Sequence, residues 1–481
     1  MSDAFPRARR VIDWDPEDRS GWAAGNRRVA RRNLIASMTA DHVAFSVWAI
    51  WSALVLLMPT SVYGLSLADK LLLGAVAAFV GALVRIPYVL GLARFGGRAW
   101  TTFAALILVL PTGLTLVLLT NPGLPFWVYL VCAAATGLGG GNYSASMVNV
   151  NALYPQRLKG TALAVNAGGG NLGVAVVQVG ALLLLAAGSA HPHWICAGYL
   201  VVLTAVGVIA PLFMDDVAHP LRLHHFPTIL ADRRSWAVAV LYGCTFGSFL
   251  GFAFAFSRVL YINLVAGGHS GADARLQVAQ VAFVGPLLGA VARVIAGRVA
   301  DRHGGGRVTL VGFAGMVVTA AGLLAVSIRD GRLPGPADTA TLVGYLTGFL
   351  VLFVFSGLGS GAVFTLVPAL FEPVGQRTPR ALQQTESRAL SGALIGFAGA
   401  FGGLGAVAVN LVLRHSYLAT GNETRAFAIF LPCYLFAFLL TWRLFVRPKP
   451  GSVSPRPAGP AGPAGPPAAP DRPGPARAPG P

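Results

Sequence analysis

Apolar segments of roughly twenty residues recur about twelve times between Leu34 and Phe445, separated by short polar or Pro/Gly joints. This recurrence leaves few folds open. Twenty residues in an α-helix rise about 30 Å, the thickness of the hydrocarbon core of a bilayer. The strict alternation of a membrane-barrel strand is missing, so each segment is expected to cross as a helix whose backbone groups satisfy one another. Only 11% of the 481 residues are charged, too few to clothe soluble domains of this size. The expected class is therefore an all-α polytopic membrane protein.

The charges fix its expected orientation. A formal net charge of +18 could point to nucleic acid, but the basic residues fall in alternate joints rather than in one patch. Arg27, Arg28, Arg31 and Arg32 precede the first segment. Arg94 and Arg98 follow the second, Arg157 and Lys159 the fourth, and Arg302 and Arg307 the eighth. Joints of the other parity carry few. By the positive-inside rule both termini are expected in the cytoplasm, with the chain in the inner (plasma) membrane and lipid rather than nucleic acid around it.

The expected organisation is a basic N-terminal segment, 1–33, a six-helix half, 34–215, a cytoplasmic loop, 216–235, and a second six-helix half, 236–447. The tail, 448–481, is rich in Pro, Ala and Gly and is expected to be disordered in the cytoplasm. The first 33 residues show no cleavable signal pattern, so the first span is expected to direct insertion. Cys132, Cys196, Cys244 and Cys433 lie inside predicted spans without metal-ligand spacing, as small core residues do. Neither a P-loop nor a convergent nucleophile is present, so no metal, cofactor, ATP use or enzymatic activity is expected.

The two halves rhyme. Arg85 stands eleven residues before Gly96-Gly97 and nine before Arg94, and Arg293 stands at the same intervals before Gly304-Gly305 and Arg302. TGLGGGNYS from Thr136 matches SGLGSGAVF from Ser356. Parallel duplication of a six-helix unit is a transporter signature. The turns GLARFGGR and GRVADRHGG resemble the cytoplasmic loop motif of the major facilitator superfamily; the first copy lacks the usual acidic residue and the second keeps Asp301. That resemblance implies twelve helices in two pseudo-symmetric halves, with Arg94, Arg98, Asp301 and Arg302 in a cytoplasmic gating loop.

The fourth and fifth segments are unusually polar for membrane spans. Gly137, Gly141 and Ala145 repeat at the small-xxx-small interval, and with Gly139, Gly140, Gly168, Gly170 and Gly173 they predict a tight seam between these two helices. Buried asparagines are costly in lipid unless they meet partners or line a wet cavity. Asn149, Asn151 and Asn166 fit either role. Asn142 and Asn171 lie further from the cytoplasmic end and can reach the midplane.

Together these two stretches resemble the signature of the nitrate/nitrite porter family of the major facilitator superfamily. The match runs through Gly139-Gly140-Gly141-Asn142-Tyr143, Met147, Asn149, Pro155, Gly160, Asn166-Ala167-Gly168 and Gly170-Asn171-Leu172-Gly173. Tyr143 stands where the family usually has Phe, and Ala164 where it has Gly. The second-half signature is GLGSGAVFTLVPALF, carrying Gly357, Gly359 and Gly361, and is followed by Glu372 where a basic residue is usual.

The resemblance implies a monomeric carrier that moves nitrate or nitrite by alternating access. It also implies that Arg85 and Arg293 hold the anion while Tyr143, Tyr242 and Phe246 close over it. The chemistry agrees: a forked guanidinium matches the planar, delocalised edge of nitrate. Arg85 lies nine residues, roughly 13 Å of helix, before Arg94, too deep to snorkel comfortably, and Arg293 lies equally far before Arg302. Tyr242 and Phe246 share a face at i, i+4, a spacing that core packing also produces.

Asp41 and His42 stand in the first segment as adjacent ionisable groups, a candidate proton relay or, alternatively, an edge ion pair with Arg31 or Arg32. The pair resembles the proton-symporting branch of the nitrate porters. A negative-inside potential opposes anion influx by about 2.3 kcal/mol per charge per 100 mV, and at least about two protons per nitrate would make uptake electrogenically favourable. Nitrate/nitrite exchange, which needs none, stays open, as does another small anion. Drug and sugar carriers lack the double arginine and both glycine signatures.

Overall fold

The computed structural model describes residues 10–11, 14–189, 191–333, 337–371 and 380–447. The tail, 448–481, and Glu372 lie outside the described residues. Ten helices are long and apolar enough to cross a membrane. They are α2 (Leu67–Phe95), α3 (Gly97–Thr120), α5 (Gln156–Ala186), α6 (His193–Phe213), α7 (Arg233–Ala266), α8 (Gly271–His303), α9 (Gly305–Asp330), α10 (Thr339–Leu370), α11 (Gln383–Thr420) and α12 (Thr424–Val446). Two more, α1 and α4, complete the series expected from the sequence. The first runs through Arg27–Trp48 and, after a break at Ala49, Ile50–Leu54; α4 runs through Phe126–Thr136 and Gly139–Leu153. In α4 the polar residues face the interior rather than lipid, since every residue of Gly139–Leu153 is buried; α1 opens with the exposed Arg27, Arg28, Arg31 and Arg32.

Local chemistry sets the ends. Ser66 and Asp69 cap α2 reciprocally: the Asp69 backbone N–H donates to the Ser66 hydroxyl at 3.2 Å, and the Ser66 N–H to the Asp69 carboxylate at 2.9 Å. The repeated Gly-Gly turns take the same shape. Gly96 after α2 and Gly304 after α8 have φ of 90° and 89°, a left-handed conformation that glycine adopts without strain. Between α6 and α7 lie a two-residue strand, Asp216–Val217, paired in parallel with Arg10–Val11, and a short helix, His225–Ala231. Outward-facing residues such as Val201 (71% exposed) and Val318 (73%) give the bundle an apolar girdle suited to lipid.

The glycine seam differs from the expected one. α4 and α5 do not zip to each other. Gly137 of α4 faces the Ala77 carbonyl and Val80 of α2, Gly139 the Ala44 carbonyl of α1, and Gly141 the ring of Tyr88 on α2. Gly168 of α5 faces Ala290 and Val294 of α8, Gly170 faces Asp41, and Gly173 meets the His42 carbonyl of α1. In the second half Gly357 and Gly361 of α10 press on the Gly289 and Arg293 carbonyls of α8, while Gly359 meets Thr245 of α7. Small residues at an interval of four specify one close face but not which neighbour fills it. Here they bring α1, α2, α7 and α8 inward around the centre.

Candidate functional site

Four helices converge on the two arginines found by the repeat. Arg85 (α2) and Arg293 (α8) are fully buried, as are Tyr143 (α4), Tyr242 and Phe246 (both α7). Arg85 donates from Nε to the Gly140 carbonyl at 3.2 Å and from Nη1 to the Gly399 carbonyl of α11. Arg293 donates from Nη2 to the Tyr143 hydroxyl and, at 3.0 Å, to the Tyr242 hydroxyl. Tyr242 in turn donates to Tyr143 at 2.8 Å.

The rings form the walls. Phe246 stacks on Tyr242 with centroids 5.0 Å apart and on Tyr143 at 5.5 Å. The Arg85 guanidinium carbon lies 5.1 Å from the Phe246 centroid and 4.9 Å from that of Tyr143; for Arg293 the distances are 5.5 and 5.4 Å. Both cations therefore share two aromatic partners, Phe246 and Tyr143, within the range of cation–π attraction. The i, i+4 spacing of Tyr242 and Phe246 serves this box.

The hydrogen-bonding capacity of the arginines is only partly used. Arg85 Nη2 and Arg293 Nε and Nη1 are buried without a hydrogen-bond partner among the described residues. No ion pair among the described residues involves either arginine. Buried donors of this strength are normally satisfied. A structural salt bridge to a carboxylate thus does not account for them.

Asp41 is fully buried on α1, within reach of the Ser146 hydroxyl of α4, and lies within electrostatic reach of Arg85 and Arg293. The His42 ring leaves α1 in a different direction. One residue along a helix turns by 100°, and the imidazole Nδ1 instead meets the Gly169 carbonyl at 3.0 Å and lines a groove of about 500 Å³ with Trp194, Tyr199 and Val202 on α6. Asp41 forms no edge pair either: among the described residues Arg32 pairs with Asp215.

The asparagines divide by role. Asn149 donates to Ser37 at 3.0 Å and Asn166 to Ser146 at 2.9 Å, so both tie helices together. The buried Asn151 keeps an unpartnered carbonyl oxygen. Asn171 is fully buried with neither amide atom partnered among the described residues. Asn142 is buried beside Tyr143 in sequence, and no hydrogen bond among the described residues joins it to either arginine.

At the turns, Asp301 accepts from the Thr161 backbone N–H at 2.9 Å and from its hydroxyl at 2.7 Å, fastening the end of α8 to the start of α5. The first turn, short of its own acid, meets one from the inter-half segment: Asp216 accepts from the Arg98 N–H at 2.9 Å. Arg94 lies over the Phe95 ring, and Arg302 is exposed.

Residues the sequence did not single out complete the box. Trp48 lies 5.1 Å from the Arg85 guanidinium, and Phe364 lies 5.6 Å from that of Arg293. Gly399 and Gly402 let α11 close on the site; a Cβ at Gly399 would stand 2.4 Å from the Ser144 hydroxyl, and one at Gly402 2.6 Å from the Tyr242 ring. The only cue was the spacing of Gly392, Gly396, Gly399 and Gly403, lost in a glycine-rich chain.

Helices in two repeated sets around a central, sealed, cationic site define a secondary carrier. Residues 42–377 match the sequence profile of the Major Facilitator Superfamily. The chain is similar to the nitrate/nitrite transporter NarU of Salmonella typhimurium, 32% identical over 92% of this chain and 97% of that one. It is likewise similar to a probable nitrate/nitrite antiporter, NarK2, of Thermus thermophilus, 30% identical over 91% and 96%. A double-tryptophan mutant of XylE shares the fold, with a TM-score of 0.62 over 89% of this chain and 97% of that one at 14% identity. The chain belongs to the nitrate/nitrite porter family of the major facilitator superfamily, and it is a multi-pass membrane protein.

Proposed function

We propose that this chain carries nitrate, and nitrite as a second substrate, across the inner membrane by alternating access, with Arg85 and Arg293 clamping the anion at the centre. The observation that carries this reading is the set of unpartnered donors on both guanidinium groups inside one aromatic box. An anion accepting from those donors would satisfy the arginines and offset the charge that burial penalises. The planar edge of nitrate matches the fork of each guanidinium, and Tyr143, Tyr242 and Phe246 exclude water from it. Asn142 and Asn171 supply amides along the same path. The basic turns at Gly96 and Gly304 face the cytoplasm, as do both termini, and Arg94, Arg98, Asp301 and Arg302 gate that side.

Asp41 makes the reading a proton symport. Ionised, it opposes the charge of Arg85 and Arg293 and competes with the substrate for them; protonated, it leaves the site one elementary charge more positive. Anion and proton then load together, and binding free energy drives the rocking of the halves. His42, directed away from the arginines, has no place in this step. Exchange is the second reading, favoured by the similarity to a relative named as an antiporter.

The deciding experiment is nitrate uptake into proteoliposomes, with an inward proton gradient and no internal nitrite, or with internal nitrite and no gradient. Gradient-driven uptake abolished in Arg85→Lys and Arg293→Lys, and uncoupled from pH in Asp41→Asn, supports symport through the clamp. Uptake that requires internal nitrite replaces symport by exchange. Uptake insensitive to both lysine substitutions refutes the clamp itself.

A further inference from the structure

A second cluster of cations stands at the opposite end of the bundle from the Gly96 and Gly304 turns. Lys70 in the first turn of α2, Arg258 of α7 and Arg275 near the start of α8 line one cavity of about 40 Å³ together with Thr60 and Tyr261. Lys70 is buried and donates from Nζ to the Met58 carbonyl at 2.7 Å. Arg258 is 4% exposed, and its Nη2 is buried without a hydrogen-bond partner among the described residues. Among the described residues no Asp or Glu lines the cavity, and no ion pair there involves any of the three.

Three like charges gathered around one small space repel, and burying two of them, Lys70 and Arg258, is costly unless an opposite charge is supplied. A cavity needs roughly 10–15 Å³ to hold one water, so this one is large enough for a small oxyanion and too small for a phosphorylated metabolite. The donor set suits such an ion: an ammonium as a point charge and two guanidinium forks. Lys70 precedes Arg85 by fifteen residues on α2, and Arg275 precedes Arg293 by eighteen on α8. The cavity therefore lies roughly 22–27 Å along the helices from the central pair, on the same two helices.

We propose that Lys70, Arg258 and Arg275 form a second binding site for a small free oxyanion, which concentrates substrate at the outer mouth of the path to Arg85 and Arg293. Its role in supplying the central site rests on the nitrate reading above; its occupancy by an anion does not. A cationic focus at the mouth of a cleft raises the local concentration of a counter-ion and its rate of arrival, an effect that salt screens.

Nitrate is titrated into the full-length protein, purified with zwitterionic lipid, while the melting temperature is read. Arg293→Lys cripples the central site, and the nitrate-dependent stabilisation left in it is expected to disappear on adding Arg258→Gln, or Lys70→Gln should the first variant not fold. Arg258→Lys should retain part of it. Identical titrations with and without the second substitution overturn the proposal, as does stabilisation by phosphatidylglycerol alone with none by nitrate. In uptake at low ionic strength, Arg258→Gln should raise KM on the order of five-fold, a difference that closes at high salt. KM equal to wild type at both salts overturns the feeding role. Wild-type protein that takes up no nitrate refutes the central reading, while the melting titration still reports on the cavity.

Discussion

Tyr242 on α7 donates its hydroxyl hydrogen to Tyr143 on α4 across 2.8 Å, and Arg293 donates to both oxygens. This three-membered network joins the two repeats at the centre of the bundle. The Tyr143 hydroxyl gives the arginine of the other half an acceptor that a phenylalanine there would not. In Tyr143→Phe the box keeps its ring, but Arg293 loses one of its two partners. Hydrogen bonds to a charged group contribute about 1.5–3 kcal/mol. Equilibrium binding of nitrate to the purified variant should therefore change by at least about tenfold. An affinity within twofold of wild type would show that the hydroxyl contributes only to packing.

Glycine substitutions should separate sharply by position. Gly399→Ala would place a methyl group 2.4 Å from the Ser144 hydroxyl and 3.1 Å from Arg85 Nη1, so the Ser144 hydroxyl must rotate away and the Arg85 side chain must shift within the site. Transport is expected to fall by an order of magnitude or more, with overpacking costing about 1–3 kcal/mol of stability. Gly180→Ala, on α5 with nothing within 4 Å of the added methyl, should transport normally and melt slightly higher through helix propensity. Uptake assays and melting curves on both variants check this; equal behaviour of the two would contradict the close approach of α11.

The central pair was legible because duplication wrote it twice: an arginine at the same interval before two Gly-Gly turns marks a position the fold uses in both halves. The partners of the glycine seams were not, since an interval of four gives a helix face but not the neighbour. Nor could the chain order show that Asp41 faces inward while His42 faces the groove beside α6. That difference depends on the rotation of α1 about its axis, which is fixed by long-range packing against α5. Trp48, Phe364 and Gly399 were hidden for a related reason: in a membrane chain aromatic and small residues are abundant, and only proximity to a buried charge distinguishes these three.

Asp301 should hold the α5–α8 end closed. It gathers two hydrogen bonds from Thr161, one to backbone and one to side chain, at an exposed position. Asp301→Ala removes both at a cost of about 1 kcal/mol, a shift of roughly five-fold in favour of the opened state. Spin labels at Arg157→Cys and Arg302→Cys, in a background without the four native cysteines, would report this. Their distance distribution should gain a longer component in Asp301→Ala. The same distribution with and without Asp301 would remove that carboxylate from the gate.

Acid should loosen the segment between the halves through His219. This residue is buried in the connection after α6, and neither ring nitrogen has a hydrogen-bond partner among the described residues. Burial disfavours the imidazolium and pushes the pKa from its ordinary 6.5 down to about 4. Between these values the unfolded chain binds a proton that the folded chain does not, so stability rises with pH across the window. The contribution is fully present above pH 6.5 and is lost as pH falls toward 4. Melting temperatures taken from pH 7 to pH 4 should decline less steeply in His219→Gln than in wild type. Parallel curves would mean that His219 finds a partner in solution and stays protonated without cost.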